Sequence, residues 1–203
     1  VSTDRHALGR PLDRTADLDE RVVDSRIVHR GRYLDVRVDT IERSDGSRSQ
    51  RDIVAHPGAV TVVAIDDEDR VLLVRQWRTA AERSLLELPA GTLDVDRVTG
   101  TTEDPDAASR RELEEETGCR AGTWQRLAGF WTTPGFTTEL MHLYLATDLQ
   151  AADADRRLPE EDERLELERV PFDAAVAAVE RGEIADAKSI VGLLWVSRLR
   201  ASS

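Results

Sequence analysis

Apolar and polar positions change period several times along the chain. Leu34, Val36 and Val38 alternate with polar residues, as in a half-buried strand, and Ser44-Asp45-Gly46-Ser47 reads as the turn to the next strand. Residues 26–54 therefore predict a small sheet. It is too small to hold a core alone and must pack on something, a partner subunit being one candidate. Beyond Pro57, Ala59–Ile65 and Arg70–Trp77 flank the acidic turn Asp66-Asp67-Glu68-Asp69, which predicts a hairpin. A helix is predicted over 105–117. Asp104 is a good N-cap, Pro105 suits the first helical position, and Gly118 is suited to end the helix in a left-handed turn. Strands follow over Leu127–Trp131 and Leu140–Ala146, where Met141, Leu143 and Leu145 alternate. Phe172–Arg181 reads as a helix ended by Gly182, and Asp186 caps a last apolar helix through about Leu199. This order suggests an α/β/α sandwich around a mixed sheet, although spacing alone leaves the fold open. The division that follows is a polar tail over 1–20, a small β-sheet over 21–56 and a larger domain over 57–203.

Composition narrows the classes. A hydrophobic content of 40% in 203 residues permits a core built mostly from Ala, Val and Leu. No apolar run approaches a membrane span, and the N-terminal stretch has no apolar signal region, so cytosolic residence is the expectation. One cysteine makes neither an internal disulfide nor a zinc knuckle. A net charge of −12 argues against binding a nucleic-acid backbone. It is compatible with an anionic substrate, because bound cations invert the local field. Residues 148–168 hold nine acids against three arginines and read as a solvated connection.

The most informative segment is Arg111-Glu112-Leu113-Glu114-Glu115-Glu116-Thr117-Gly118. Glu112, Glu115 and Glu116 stand at i, i+3 and i+4, so the predicted helix carries three carboxylates on one face. Their mutual repulsion, and the helix dipole that disfavours anions near a C-terminus, are relieved by a cation among them. A hard divalent cation with oxygen ligands is the natural candidate, and solvent exposure beside arginines is the plain alternative.

Glu103, seven residues, then Arg111-Glu112-Leu113-x-Glu115-Glu116-x-Gly118-Cys119 resembles the signature of the Nudix hydrolases. One departure is visible. The family places a glycine six positions before the first glutamate, where this chain has Arg97; the equivalent glycine is Gly91, and a six-residue surface insertion falls within Asp94 to Thr102. The resemblance implies the Nudix sandwich and a divalent cation, Mg²⁺ or Mn²⁺, held by Glu112, Glu115 and Glu116 together with the backbone carbonyl of Ala90. Glu103 is either an outer ligand or a surface charge. Arg111, at i−4 to Glu115, is expected to orient that glutamate by an ion pair.

Flanking segments resemble the ADP-ribose pyrophosphatase subgroup. They are Thr132-Thr133-Pro134-Gly135-Phe136-Thr137-Thr138-Glu139, Val74-Arg75-Gln76-Trp77-Arg78, Leu86-Glu87-Leu88-Pro89-Ala90-Gly91, Arg30-Gly31-Arg32-Tyr33-Leu34-Asp35-Val36, Arg51-Asp52-Ile53-Val54, Pro159-Glu160-Glu161-Asp162-Glu163 and Gly182-Glu183-Ile184-x-Asp186-Ala187-Lys188. The likeness covers about residues 26–200. It implies a mobile loop in which Glu139 activates water, and a small sheet exchanged between two subunits of a homodimer. It also implies that Tyr33 stacks on adenine and that Arg51 and Arg78 contact the base or the phosphates. A packing role for Tyr33 and plain surface charge for the arginines are the alternatives. The four histidines show no ligand spacing.

The expectation is thus a metal-dependent pyrophosphatase that splits ADP-ribose into AMP and ribose 5-phosphate. Three rivals stand beside it: a hydrolase of another X-linked nucleoside diphosphate (a dinucleotide, a sugar nucleotide or an oxidised nucleotide), a non-catalytic Nudix-like ligand sensor, and an acidic interaction protein.

Overall fold

The computed structural model describes residues 18–32, 34–96, 98–153 and 164–202. Three antiparallel strands open the chain: β1 (Glu20–Arg30), β2 (Asp35–Arg43) and β3 (Arg48–Ala55), in the order β1-β2-β3. The turn between β2 and β3 lies where it was expected, with Gly46 at φ 80° and the Asp45 carboxylate accepting from the Ser47 N–H. The sheet starts earlier than the alternation of Leu34, Val36 and Val38 suggests. β1 is almost wholly exposed, so burial leaves little periodic trace in its sequence. Residues 1–17 of the expected tail, Tyr33 and the Pro159–Glu163 segment lie outside the described residues.

Seven further strands form two sheets. β4 (Ala59–Ala64) and β9 (Leu140–Ala151) pair in parallel at the centre of the mixed sheet β7-β4-β9-β8, with β7 at Ala90–Thr92 and β8 at Cys119–Trp131. β5 (Arg70–Arg78) lies between β10 (Glu166–Pro171) and β6 (Arg83–Glu87). This corrects the predicted hairpin. The turn is present, with Asp66 N–H on the Arg70 carbonyl and the Asp66 carboxylate accepting from Glu68 and Arg70, but Ile65 and Val71 make only an isolated bridge before β4 and β5 part into different sheets. Two buried apolar runs around a turn specify that the chain reverses, not which neighbours each run pairs with. The acidic stretch after residue 148 is also corrected at its ends: β9 continues to Ala151 and β10 begins at Glu166.

Two helices, α1 (Pro105–Thr117) and α3 (Ala187–Arg200), cover the mixed sheet, and α2 (Phe172–Glu180) packs against α3, β5 and β10. β4 is buried on both faces and divides the core. Val60, Val62 and Ala64 pack with Ala108 and Leu113 beneath α1, whereas Val63 and Ile65 pack with Leu193, Val196 and Phe172 beneath α3 and α2. The period of two along a strand sends successive side chains to opposite layers. Full burial of Leu113 contributes roughly 1.5–3 kcal/mol to holding α1 in place. No helix among the described residues is long and apolar enough to cross a membrane.

The expected insertion is a closed excursion. Asp94 and Glu103 bond through their backbones at 2.8 Å, Val95 bridges Thr102, and the Asp94 N–H also reaches the Glu103 carboxylate. The chain returns to its starting point, and α1 begins undisturbed.

Candidate active site

α1 starts and stops where the sequence indicates. The Asp104 carboxylate accepts from Asp106 N–H and Ala107 N–H, and Gly118 adopts φ 69° with its N–H on the Glu114 carbonyl. The helix thereby presents Glu112, Glu115 and Glu116 toward β7 and the loop before it.

The cation among these carboxylates is Arg111. Its Nη1 donates to Glu112 at 2.7 Å and to Glu115 at 2.9 Å, while Nε and Nη2 engage Glu103 at 3.1 and 2.8 Å. The planar guanidinium fork gathers three carboxylates that would otherwise repel. Hydrogen bonds to Glu103, followed by the charges of its neighbours, hold Arg111 above its already high ordinary pKa, against the opposing effect of burial. These side chains are only 12–19% exposed, so solvent alone does not relieve their repulsion. Glu103, expected as either an outer ligand or a surface charge, is a partner of Arg111.

Glu116 reaches the first residue of β7: its carboxylate accepts from the Ala90 N–H at 2.9 Å. Glu112 lies against Gly91. A Cβ on Gly91 would stand 1.9 Å from Glu112 Oε1 and 2.0 Å from its carboxyl carbon. The bare Cα is what lets this carboxylate lie over the strand. No three His, Cys, Asp or Glu side chains among the described residues already converge as a metal cluster. The donor set is nevertheless hard oxygen throughout, beside a cradle that a single methyl group would fill. That chemistry fits a hard divalent cation.

Arg78 belongs to a neighbouring network that the sequence analysis missed. Its guanidinium forms a two-point pair with Glu87 at 2.8 and 2.6 Å and lies within the field of Glu116. Glu87 is 1% exposed and also receives a hydrogen bond from the Lys188 ammonium, which donates to Asp186 at 2.9 Å as well. The next residue, Ser189, accepts from Leu88 N–H at 2.7 Å, tying the segment that leads into β7 to α3. A sequence signal existed: Glu87 interrupts the apolar run Leu85-Leu86-Glu87-Leu88, and a charge there needs a buried partner. Burial pushes the Glu87 carboxyl up, but hydrogen bonds and charge from Arg78 and Lys188 outweigh it and hold it below 4.5. A depressed carboxyl stabilises the fold above its unfolded value, and that contribution is lost as pH falls through the lower folded value. Glu87→Gln is expected to cost roughly 3 kcal/mol at neutral pH, chiefly by leaving the buried Lys188 ammonium poorly paired, with the gap to the parent narrowing below about pH 4.5. Urea midpoints from about pH 7 to 3 check this; a constant gap would contradict it.

Glu139 sits at the end of the 132–139 loop, directly before β9. Its carboxylate accepts from the Thr132 hydroxyl, and its Oε1 lies 3.7 Å from His56 Nε2. Thr132 N–H bonds back to the Glu139 carbonyl at 3.3 Å, closing the loop across its base. Arg51, in contrast, pairs with Glu20 across the N-terminal sheet, with Nε at 3.1 Å from the carboxylate.

An α/β/α sandwich with glutamates of one helix gathered over a glycine-bearing strand places this chain in the Nudix family, to which it belongs. The NUDIX domain matches residues 55–191, and the nucleoside diphosphate sugar hydrolase N-terminal domain matches residues 20–54. The chain is 36% identical over 179 residues to an ADP-ribose pyrophosphatase of Bacillus subtilis (strain 168), covering 88% of this chain and 93% of the relative. It is 37% identical over 181 residues to an ADP-ribose pyrophosphatase of Mycobacterium tuberculosis (strain ATCC 25618 / H37Rv), covering 89% and 84%. A GDP-mannose pyrophosphatase of Cronobacter sakazakii (strain ATCC BAA-894) is 32% identical over 160 residues, covering 74% and 80%. The crystal structure of an ADP compounds hydrolase shares the fold, with a TM-score of 0.76 at 24% identity over 90% of this chain and 95% of that one.

Proposed function

We propose that this protein hydrolyses ADP-ribose to AMP and ribose 5-phosphate with the help of Mg²⁺ or Mn²⁺. The observation that carries the reading is the extent of the likeness to two ADP-ribose pyrophosphatases: 36% and 37% identity spanning both the N-terminal sheet and the glutamate helix. In this reading Glu112, Glu115, Glu116 and the Ala90 carbonyl hold the cation. Bound there, it would neutralise charge developing on the diphosphate oxygens. Arg111 orients Glu112 and Glu115, and Glu103 orients Arg111. Glu139, fixed by Thr132, accepts a proton from the attacking water at a carboxylate oxygen. Arg78 and Arg51 are assigned to the substrate's phosphates or base, and Tyr33 to stacking on adenine.

The reading includes a homodimer built on the N-terminal sheet over 21–56, with the catalytic domain over 57–203 and the polar tail over 1–20. Two features support pairing with a second copy: β1 is an edge strand eleven residues long, and Val22, Ile27 and Val28 are exposed on it. A cytoplasmic setting goes with this reading.

A sugar nucleotide is the second reading, favoured by the 32% identity to a GDP-mannose pyrophosphatase. Turnover of ADP-ribose, GDP-mannose and NADH in ¹⁸O-labelled water, with Mg²⁺ or Mn²⁺, separates the two. ADP-ribose is expected to be the preferred substrate by kcat/KM, giving AMP and ribose 5-phosphate with the label in one of them. Faster turnover of GDP-mannose would transfer the assignment. No hydrolysis of any of the three would favour a ligand sensor.

A further inference from the structure

His56, one of four histidines without ligand spacing in the sequence, lies where two parts of the molecule meet. It follows β3, at the boundary between the N-terminal sheet and the larger domain. Its backbone is fastened to the loop that carries Glu139, 82 residues away. The Thr138 hydroxyl accepts from the His56 N–H at 2.8 Å and donates to the His56 carbonyl at 2.9 Å. Just before it, the Val54 N–H bonds to the Phe136 carbonyl at 2.7 Å, and the Thr138 N–H bonds to the Val54 carbonyl at 3.0 Å, making a parallel bridge between Val54 and Thr137. At Thr137 the 132–139 loop therefore bonds, strand-like, to the β3 edge of the N-terminal sheet.

The ring is set as firmly as the backbone. Nδ1 accepts from the Gly58 N–H at 3.1 Å, which leaves the proton of a neutral imidazole on Nε2. Burial pushes the imidazole below its ordinary 6.5 against the opposing charge of Glu139, which favours the neutral ring. Nε2–H thus faces the Glu139 carboxylate at 3.7 Å, longer than a hydrogen bond but close enough for a charge to feel an N–H dipole. Thr132 holds the other carboxylate oxygen, so Glu139 is braced from two sides.

We propose that His56 is a positioning residue for the reaction, bracing the Glu139 carboxylate with its ring while its backbone locks the Glu139 loop to the N-terminal sheet. The role rests on the reading of Glu139 as the base. His56 touches neither the reacting water nor the diphosphate in this scheme; it acts through Glu139.

Two measurements on the full chain test this. In ¹⁵N-edited NMR of the imidazoles, His56 is expected as the Nε2-protonated tautomer, with a titration midpoint that falls in Glu139→Gln because the carboxylate charge is removed. An unchanged midpoint overturns the proposal. In steady state with ADP-ribose and Mg²⁺, His56→Ala is expected to lower kcat roughly 10-fold at nearly constant KM, a small part of what a positioned base contributes. His56→Gln keeps an N–H at similar reach and is expected to recover most of that loss. Parent-like kcat in His56→Ala, or an equal loss in both variants, overturns the proposal. The ring titration needs no substrate, so it separates failure of this role from failure of the assigned activity.

Discussion

Gly91→Ala is expected to fold nearly as stably as the parent and to lose about 100-fold or more in kcat/KM. The new methyl carbon would lie 1.9 Å from Glu112 Oε1, 2.0 Å from the carboxyl carbon and 2.4 Å from Oε2, distances no real contact sustains. The obstructing atoms are the far end of a flexible side chain, so the backbone need not move; the carboxylate must. Gly91 has no positive φ to protect, which removes backbone strain as an alternative cause. Displacing Glu112 also disturbs Arg111, which bonds Glu112 and Glu115 through the same nitrogen. The damage therefore spreads along the carboxylate face while the core beneath α1 stays packed. Calorimetric titration with Mn²⁺ beside a urea melt separates the two effects. Weakened cation uptake with a near-parent midpoint is the expected pair of results. Parent-like cation uptake and turnover would remove Gly91 and Glu112 from the site.

Glu139→Gln is expected to lower kcat by roughly 10²–10⁴-fold, the usual contribution of a positioned general base. The substitution keeps the shape and leaves an amide oxygen to accept from Thr132, so the loop base and its bridge to β3 should persist. What is lost is the carboxylate's capacity to take a proton. KM is expected to change little, because Glu139 is assigned no contact with bound substrate. Cation uptake should also stay near the parent's, in contrast to Gly91→Ala. A Glu139→Gln protein as active as the parent would place the base elsewhere, whereas a large rise in KM would turn Glu139 into a binding group.

These contrasts bear on how the clustered glutamates are stabilised. The sequence pointed to a cation recruited from solution. In the folded chain a guanidinium already stands among Glu103, Glu112 and Glu115, so the carboxylates hold their places through Arg111. In the proposed reading, a divalent cation at Glu112, Glu115 and Glu116 would add to a face that Arg111 already organises. The residues most exposed to error in sequence reasoning were those whose partners lie far along the chain. Glu87 meets Lys188 across 101 positions, and His56 meets the loop of Glu139 across 82.

The limits of α1 were legible before folding because their causes are local: an aspartate cap, a proline in the first turn and a glycine at a left-handed stop lie within one short segment, as do the i, i+3 and i+4 glutamates. Central strands and both C-terminal helices were readable for the same reason, since burial on one or two faces leaves a period in the sequence. Pairing was not. Nothing in two apolar runs around Asp66–Asp69 told β4 to join β7 and β9 while β5 joined β6 and β10. Nor did any spacing lay the Glu112 carboxylate over Gly91 or bring an imidazole to Glu139. Those are encounters between distant segments, and they follow from how the layers pack.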